Sequence, residues 1–126
     1  MTENEISNKV IQAAIKVHSK LGPGLLESAY HACLVYEIQM ADMNVISEKP
    51  VPVIYENVKL TCGYRIDMLV ENKLVIEVKS VEAINDLHLA QLLPYLKLAE
   101  YKLGLILNFN AILLKQGIKR VINGTL

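Results

Sequence analysis

Two short stretches of this 126-residue chain carry side chains that could do chemistry together. Asp67 closes the run Gly63-Tyr64-Arg65-Ile66-Asp67, and nine residues lie between it and Glu77-Val78-Lys79. An acid, then an acid and a lysine two apart, set in apolar sequence of β character, is what metal-dependent phosphodiester hydrolysis requires. Carboxylates can hold a hard cation, and an ammonium can hold a water beside it. Strands hide Val, Ile and Leu, so charges planted among them need a reason. The competing reading is a solvated ladder, in which Arg65, Asp67, Glu77 and Lys79 pair as surface ions of small energetic weight. These four residues alone do not decide between the two.

The elements that must position them follow from parity. Side chains alternate faces along a strand, so Arg65 and Asp67 are expected on one face and Ile66, Met68 and Val70 on the other. In the second strand Lys73, Val75, Glu77 and Lys79 share a face opposite Leu74, Ile76 and Val78. A two-residue loop at Glu71-Asn72 would set Asp67 opposite Ile76 and mix the faces. A three-residue loop, Glu71-Asn72-Lys73, sets Asp67 opposite Glu77 and Val70 opposite Leu74, and both faces segregate. Register follows the buried face, so the odd loop is expected. Two carboxylates and an ammonium then lie on one side of one hairpin, and carboxylates directly opposite each other call for a cation.

The rest of the chain frames that hairpin. Its length fits one domain, residues 1–126, with a core that needs no staples. Hydrophobic content is 52% and mean hydropathy +0.30, yet no apolar run approaches the roughly 18 residues of a membrane span. The start, Met1-Thr2-Glu3-Asn4-Glu5, lacks the basic and apolar stretches of a signal peptide. Cys33 and Cys62 sit in apolar patterns without ligand spacing, as reduced core residues of a cytoplasmic protein would. The apolar excess leaves open a self-association surface, a homo-oligomer or a protein partner. Thirteen basic residues balance thirteen acidic ones. That excludes a strong non-specific nucleic-acid binder, but not an enzyme whose acids await a metal.

Ile6, Val10, Ala13, Ala14, Val17 and Leu21 predict a first amphipathic helix, with Lys9, Lys16 and Lys20 on its polar side. Gly22-Pro23-Gly24 turns the chain into a second helix from about Leu25 to Ala41. After a polar link, Val51 to Tyr55, Val58 to Val70 and Leu74 to Lys79 read as strands. Ile84 to Ala99 reads as a helix containing Pro94, which should kink it. Leu103 to Phe109 is an apolar strand for a doubly covered sheet, and Ile112 to Ile122 holds a final edge strand. This order implies an α/β fold, a central mixed β-sheet flanked by helices, with a β-α-β crossover.

Two helix faces carry further polar groups. Glu27, Tyr30 and His31 stand at i, i+3 and i+4 on the second helix, although the helix dipole alone would favour a carboxylate at Glu27. His88, Gln91 and Tyr95 form one polar face on the third helix. Taken alone, His88 reads more simply as a group that finds backbone partners.

Together these motifs resemble a known family. Gly24-Leu25-Leu26-Glu27-Ser28-Ala29-Tyr30 matches the G-x-x-E-x-x-Y signature of the GxxExxY family, a branch of the PD-(D/E)xK nuclease superfamily. Asp67 with Glu77-Val78-Lys79 resembles that superfamily's D…E-x-K core, and Gln91-Leu92-Leu93-Pro94-Tyr95 its Q-x-x-x-Y element. Leu21-Gly22-Pro23 and Gly104-Leu105-Ile106-Leu107-Asn108-Phe109 fit as well, so the resemblance runs from about Leu21 to Arg120. Ile66 stands where a proline often precedes the acid. The resemblance implies a restriction-endonuclease-like core that gathers Glu27, Asp67 and Glu77 around Mg²⁺ or Mn²⁺, with the Val78 carbonyl as a further ligand. It implies that Lys79 orients water and that Gln91 and Tyr95 position the phosphate. Tyr30, His88, Lys119 and Arg120 are the candidates for substrate contact, with Lys115 beside them. The implied activity is metal-dependent hydrolysis of nucleic acid, DNA in the first instance. The alternative is a silent nucleic-acid-binding or protein-interaction domain of a larger repair or defence assembly.

Overall fold

The computed structural model describes residues 1–126, with side chains described for all but residues 61–64. Cys62, expected in the core, and the neighbouring Gly63 and Tyr64 therefore lie outside the described residues. Helix α1 (Glu3–Leu21) opens on a capping box between Thr2 and Glu5, which satisfies two donors that a helix start leaves orphaned. Its buried stripe holds Ile6, Val10, Ala13, Ala14 and Val17 as expected, but Leu21, in the last turn, is exposed. Gly22 and Gly24 both take positive φ, 69° and 100°, in the turn that leads to α2 (Glu27–Met40). Cys33 is a free, half-buried thiol packed against the core.

The sheet has five strands in the order β1-β2-β3-β4-β5: β1 (Val45–Tyr55), β2 (Val58–Val70), β3 (Leu74–Lys79), β4 (Leu103–Asn108) and β5 (Ile118–Ile122). β3 and β4 run parallel, joined by the crossover helix α3 (Asp86–Ala99); the β1–β2, β2–β3 and β4–β5 neighbours are antiparallel. A short 3₁₀ turn, Leu114–Gly117, precedes β5. Strand β1 starts at Val45, not Val51. Ser47, Glu48, Lys49 and Pro50 look like a linker, but β1 is an edge strand and tolerates them, together with Pro52.

The β2–β3 loop takes the odd register: Val70 pairs with Leu74, Leu69 with Val75 and Met68 with Ile76. The Lys73 N–H closes it on the Val70 carbonyl (3.1 Å), with Glu71 and Asn72 both at positive φ. Helices α1 and α2 cover one face over Met68, Val70, Leu74, Ile76, Val78, Leu105 and Leu107. Helix α3 covers the other, its Leu92 and Leu96 packing on Val51, Ile66, Leu69, Val75 and Ile106. A Cβ at Gly104 would come 2.8 Å from the Leu92 side chain, so a glycine there lets α3 lie close on β4.

One expectation of parity fails. Ile66 packs on the α3 side with Leu69, while Met68 and Val70 pack on the α1–α2 side. Alternation breaks at Asp67, and it breaks on the partner strand at the same level. Ser47 reaches His31 of α2, whereas Lys49 reaches Tyr101 beyond α3. Between them Glu48 has φ 52°, and the ladder passes from Ser47–Met68 to Lys49–Ile66 without pairing Glu48 to Asp67. The two strands switch faces together, and Asp67 sits at the switch.

Candidate active site

Where the faces switch, the Asp67 carboxylate turns towards the neighbouring strand β3. Its Oδ2 accepts the Val78 N–H at 2.8 Å, so a carboxylate of β2 bonds the backbone between Glu77 and Lys79. Glu77 is 9% exposed, which removes the solvated-ladder reading at that residue. By alternation from Val75, Glu77 and Lys79 take the α3 side of β3. Burial pushes the Glu77 carboxyl up to about 8, and the nearby Asp67 carboxylate adds to the rise. The Lys79 ammonium opposes it. Among the described residues the ion pairs are Lys16–Glu37 (3.1 Å) and Arg65–Glu48 (4.0 Å), so Lys79 acts on Glu77 without closing a salt bridge.

On the α2 side, Asp67 and Val78 line a polar cleft of about 310 Å³ with Glu27, Ser28, His31 and Glu48. Glu27 is the first residue of α2, behind Leu26, which supplies no capping side chain. His31 shares a hydrogen bond with the Ser47 hydroxyl at 3.2 Å. Glu48 had no sequence signal, since its place depends on the face switch; His31 had one, its helical spacing from Glu27.

The remaining candidates divide. His88 is an N-terminal bracket of α3. Its Nδ1 accepts the Asn85 N–H (3.1 Å) while Asn85 Oδ1 accepts the His88 N–H (3.0 Å), the backbone role that reads more simply from its position. Gln91 is exposed, and Tyr95 is half-buried against the α3-side core. Both ride on the helix that covers the face of Glu77 and Lys79. Tyr30 is not placed to touch substrate. It is fully buried and stacks on Phe109 with ring centroids 4.6 Å apart. Its hydroxyl donates to the Gly22 carbonyl (2.5 Å) and accepts the Leu25 N–H (3.1 Å), so the motif tyrosine staples the α1–α2 turn. Arg120 is engaged elsewhere, donating to Asn4 Oδ1 at 2.7 Å near the start of α1. Lys119 is exposed on β5 and lines a separate hollow with Glu82, Asn108 and Asn110.

Whether these residues suit a cation is tested by Glu77. Its Oε1 is buried and has no hydrogen-bond partner. A buried carboxylate oxygen left unpaired is costly, and a cation between Glu77 and Asp67 would satisfy it. All donors there are oxygens, which selects a hard divalent ion. Among the described residues no three His, Cys, Asp or Glu side chains stand close enough to form a ligand group by themselves. The three carboxylates expected to converge are thus divided: Glu27 opens on the cleft from one side, and Asp67 and Glu77 interact across the hairpin.

The model of the PD-(D/E)XK nuclease superfamily matches residues 4–121. No curated protein and no solved structure matches the chain. The mixed sheet flanked by helices is the restriction-endonuclease-like α/β core. Among the described residues no helix is long and apolar enough to cross a membrane.

Proposed function

This chain belongs to the PD-(D/E)XK nuclease superfamily, and from that premise we propose that it is a metal-dependent nuclease hydrolysing phosphodiester bonds in DNA. The observation that carries the reading is the buried Glu77 carboxylate, unpartnered at Oε1 beside Asp67 and within the influence of Lys79. Asp67, Glu77 and the Val78 carbonyl would hold Mg²⁺ or Mn²⁺, with Glu27 reaching it from across the cleft, directly or through water. When bound, the cation neutralises charge on the phosphate and lowers the pKa of water. Lys79 holds the attacking water. Gln91 and Tyr95 orient the phosphate from the α3 side. The water releases a proton to solvent as its oxygen bonds to phosphorus and the phosphorus–oxygen ester bond breaks, and the departing oxygen takes up a proton from solvent. Lys119 is free to meet the nucleic-acid backbone, and His88 retains Nε2 for the same purpose.

The Gly24-x-x-Glu27-x-x-Tyr30 pattern supports placing the chain in the GxxExxY branch, as one nuclease domain over residues 1–126 acting in the cytoplasm. Zero net charge implies modest intrinsic affinity for nucleic acid unless a partner supplies more. A second reading, a silent docking module of a repair or defence assembly, draws on exposed apolar side chains such as Leu26 and Ile112, each 78% exposed.

Labelled single- and double-stranded DNA and RNA, incubated with Mg²⁺, Mn²⁺ or EDTA, separate the readings. Metal-dependent cutting that disappears in Asp67→Ala and Lys79→Ala is the expected result. No cutting by wild type, or equal cutting by all three proteins, would overturn the nuclease reading in favour of the docking module.

A further inference from the structure

Lys79 is the last residue of β3, and its aim depends on how the chain is held just beyond it. Strand β4 ends at Asn108, the register partner of Lys79 across the parallel pair. The Phe109 N–H donates to the Lys79 carbonyl at 2.9 Å as the last backbone rung. Among the described residues no strand continues beside Val81, and the Asn108 side chain takes the place of one. Its Oδ1 accepts the Val81 N–H (3.1 Å) and its Nδ2 donates to the Val81 carbonyl (3.0 Å). A primary amide presents an acceptor and donors as a peptide edge does, so this pair of bonds extends the ladder past Lys79 by one side chain.

The clasp is built in depth. Asn108 is 3% exposed. Its Oδ1 also accepts the Asn110 N–H (3.2 Å), and Asn110 Nδ2 donates to the Val81 carbonyl (3.2 Å). A Cβ at Gly117 would fall 2.5 Å from the Asn108 carbonyl oxygen, so glycine there lets the 3₁₀ turn close over Asn108. From the opposite side the Ser80 hydroxyl donates to the Leu25 carbonyl at 2.6 Å, in the turn that Tyr30 staples. The two residues after Lys79 are thereby gripped by two different loops.

The geometry points to Asn108 as a positioning residue that fixes the chain after Lys79 and so aims the Lys79 ammonium at Glu77. Its consequence for cleavage rests on the nuclease reading, while the positioning itself does not. The test compares full-length wild type, Asn108→Ala, Asn110→Ala and Ser80→Ala by thermal melting and by kcat and KM for DNA with Mn²⁺. Relaxation of the ¹⁵N-labelled Lys79 ammonium is measured on the same proteins. The expected result for Asn108→Ala is a kcat lower by about tenfold or more, KM within about twofold, and a more mobile Lys79 ammonium. Asn110→Ala and Ser80→Ala, each losing one bond, shift both readouts in the same direction by less. Unchanged Lys79 relaxation in folded Asn108→Ala overturns the proposal, as does a fall in kcat/KM that lies entirely in KM. Should Asn108→Ala fail to fold, unchanged kcat and Lys79 relaxation in both milder variants overturns it. A wild type that cuts nothing, with Lys79 nevertheless loosened in Asn108→Ala, overturns the nuclease reading and supports the positioning.

Discussion

The cleft side and the strand side of this site each hold carboxylates, and they hold them in opposite ways. Glu27 and Glu48 stand in water at the mouth of the α2 cleft, where an ionised acid needs no partner. Glu77, on the far side of Asp67, is buried, lacks a partner for one oxygen and resists ionisation. The difference separates two tasks. An exposed acid can take up and release ions or substrate without cost to the fold, whereas a buried acid makes the fold itself sensitive to the cation.

Four measurements put that contrast to the test. The largest effect is on turnover: Asp67→Ala and Lys79→Ala should each lower cleavage by about a hundredfold or more, and Glu27→Gln by about tenfold. Initial rates with Mn²⁺ check this, and equal losses at Glu27 and Lys79 would erase the distinction between the two sides. The second concerns pH. A carboxyl whose folded pKa rises from 4.5 to about 8 binds a proton in the folded state that the unfolded chain has already released. Metal-free stability should therefore fall as pH rises from about 4.5 to 8, by up to about 5 kcal/mol. Denaturant titrations should show the slope in wild type and its loss in Glu77→Gln. Mn²⁺ should raise the melting temperature more at pH 8 than at pH 5.

Third, Tyr30→Phe should cost about 1–3 kcal/mol, because the Gly22 carbonyl and the Leu25 N–H lose their shared partner. Chemical denaturation measures the loss, and KM for DNA should stay unchanged since Tyr30 faces the core. Smallest of all, Glu48→Ala should move stability by less than about 0.5 kcal/mol. Its 4.0 Å contact with Arg65 joins two exposed side chains. A larger loss would mean that the mouth of the cleft is structural after all.

How much of this could be read from residue order depends on where each cause lies. The β2–β3 register was legible because one choice of loop segregates the apolar faces and the other mixes them, and the structure pairs Val70 with Leu74 accordingly. Most of the α1 stripe was legible from its helical spacing, although Leu21 at its end is exposed. The face switch at Asp67 was not, because it needs Glu48 on another strand to adopt positive φ at the matching level. The first half of β1 was hidden by its polar composition, which an edge position permits. Tyr30 illustrates the limit of a motif. The pattern marks the tyrosine as special, but only the packed structure reveals that its hydroxyl serves the Gly22–Leu25 turn instead of a substrate. Asn108 sits in an apolar run that reads simply as strand, and its amide acquires a role only where β4 ends.

The edge of the sheet carries a last consequence. Strand β1 offers an outer rim of eleven residues, with Ile46, Ile54 and Tyr55 exposed along it. Such a rim would ordinarily invite another chain to add itself as a sixth strand. Pro50 and Pro52 remove two backbone donors near its centre, and the ladder with β2 shifts between Val51 and Val53. An arriving strand finds neither a full set of donors nor a straight line to follow. Assembly by continuing the sheet is blocked on that side, so any partner meeting β1 must recognise its side chains rather than its backbone.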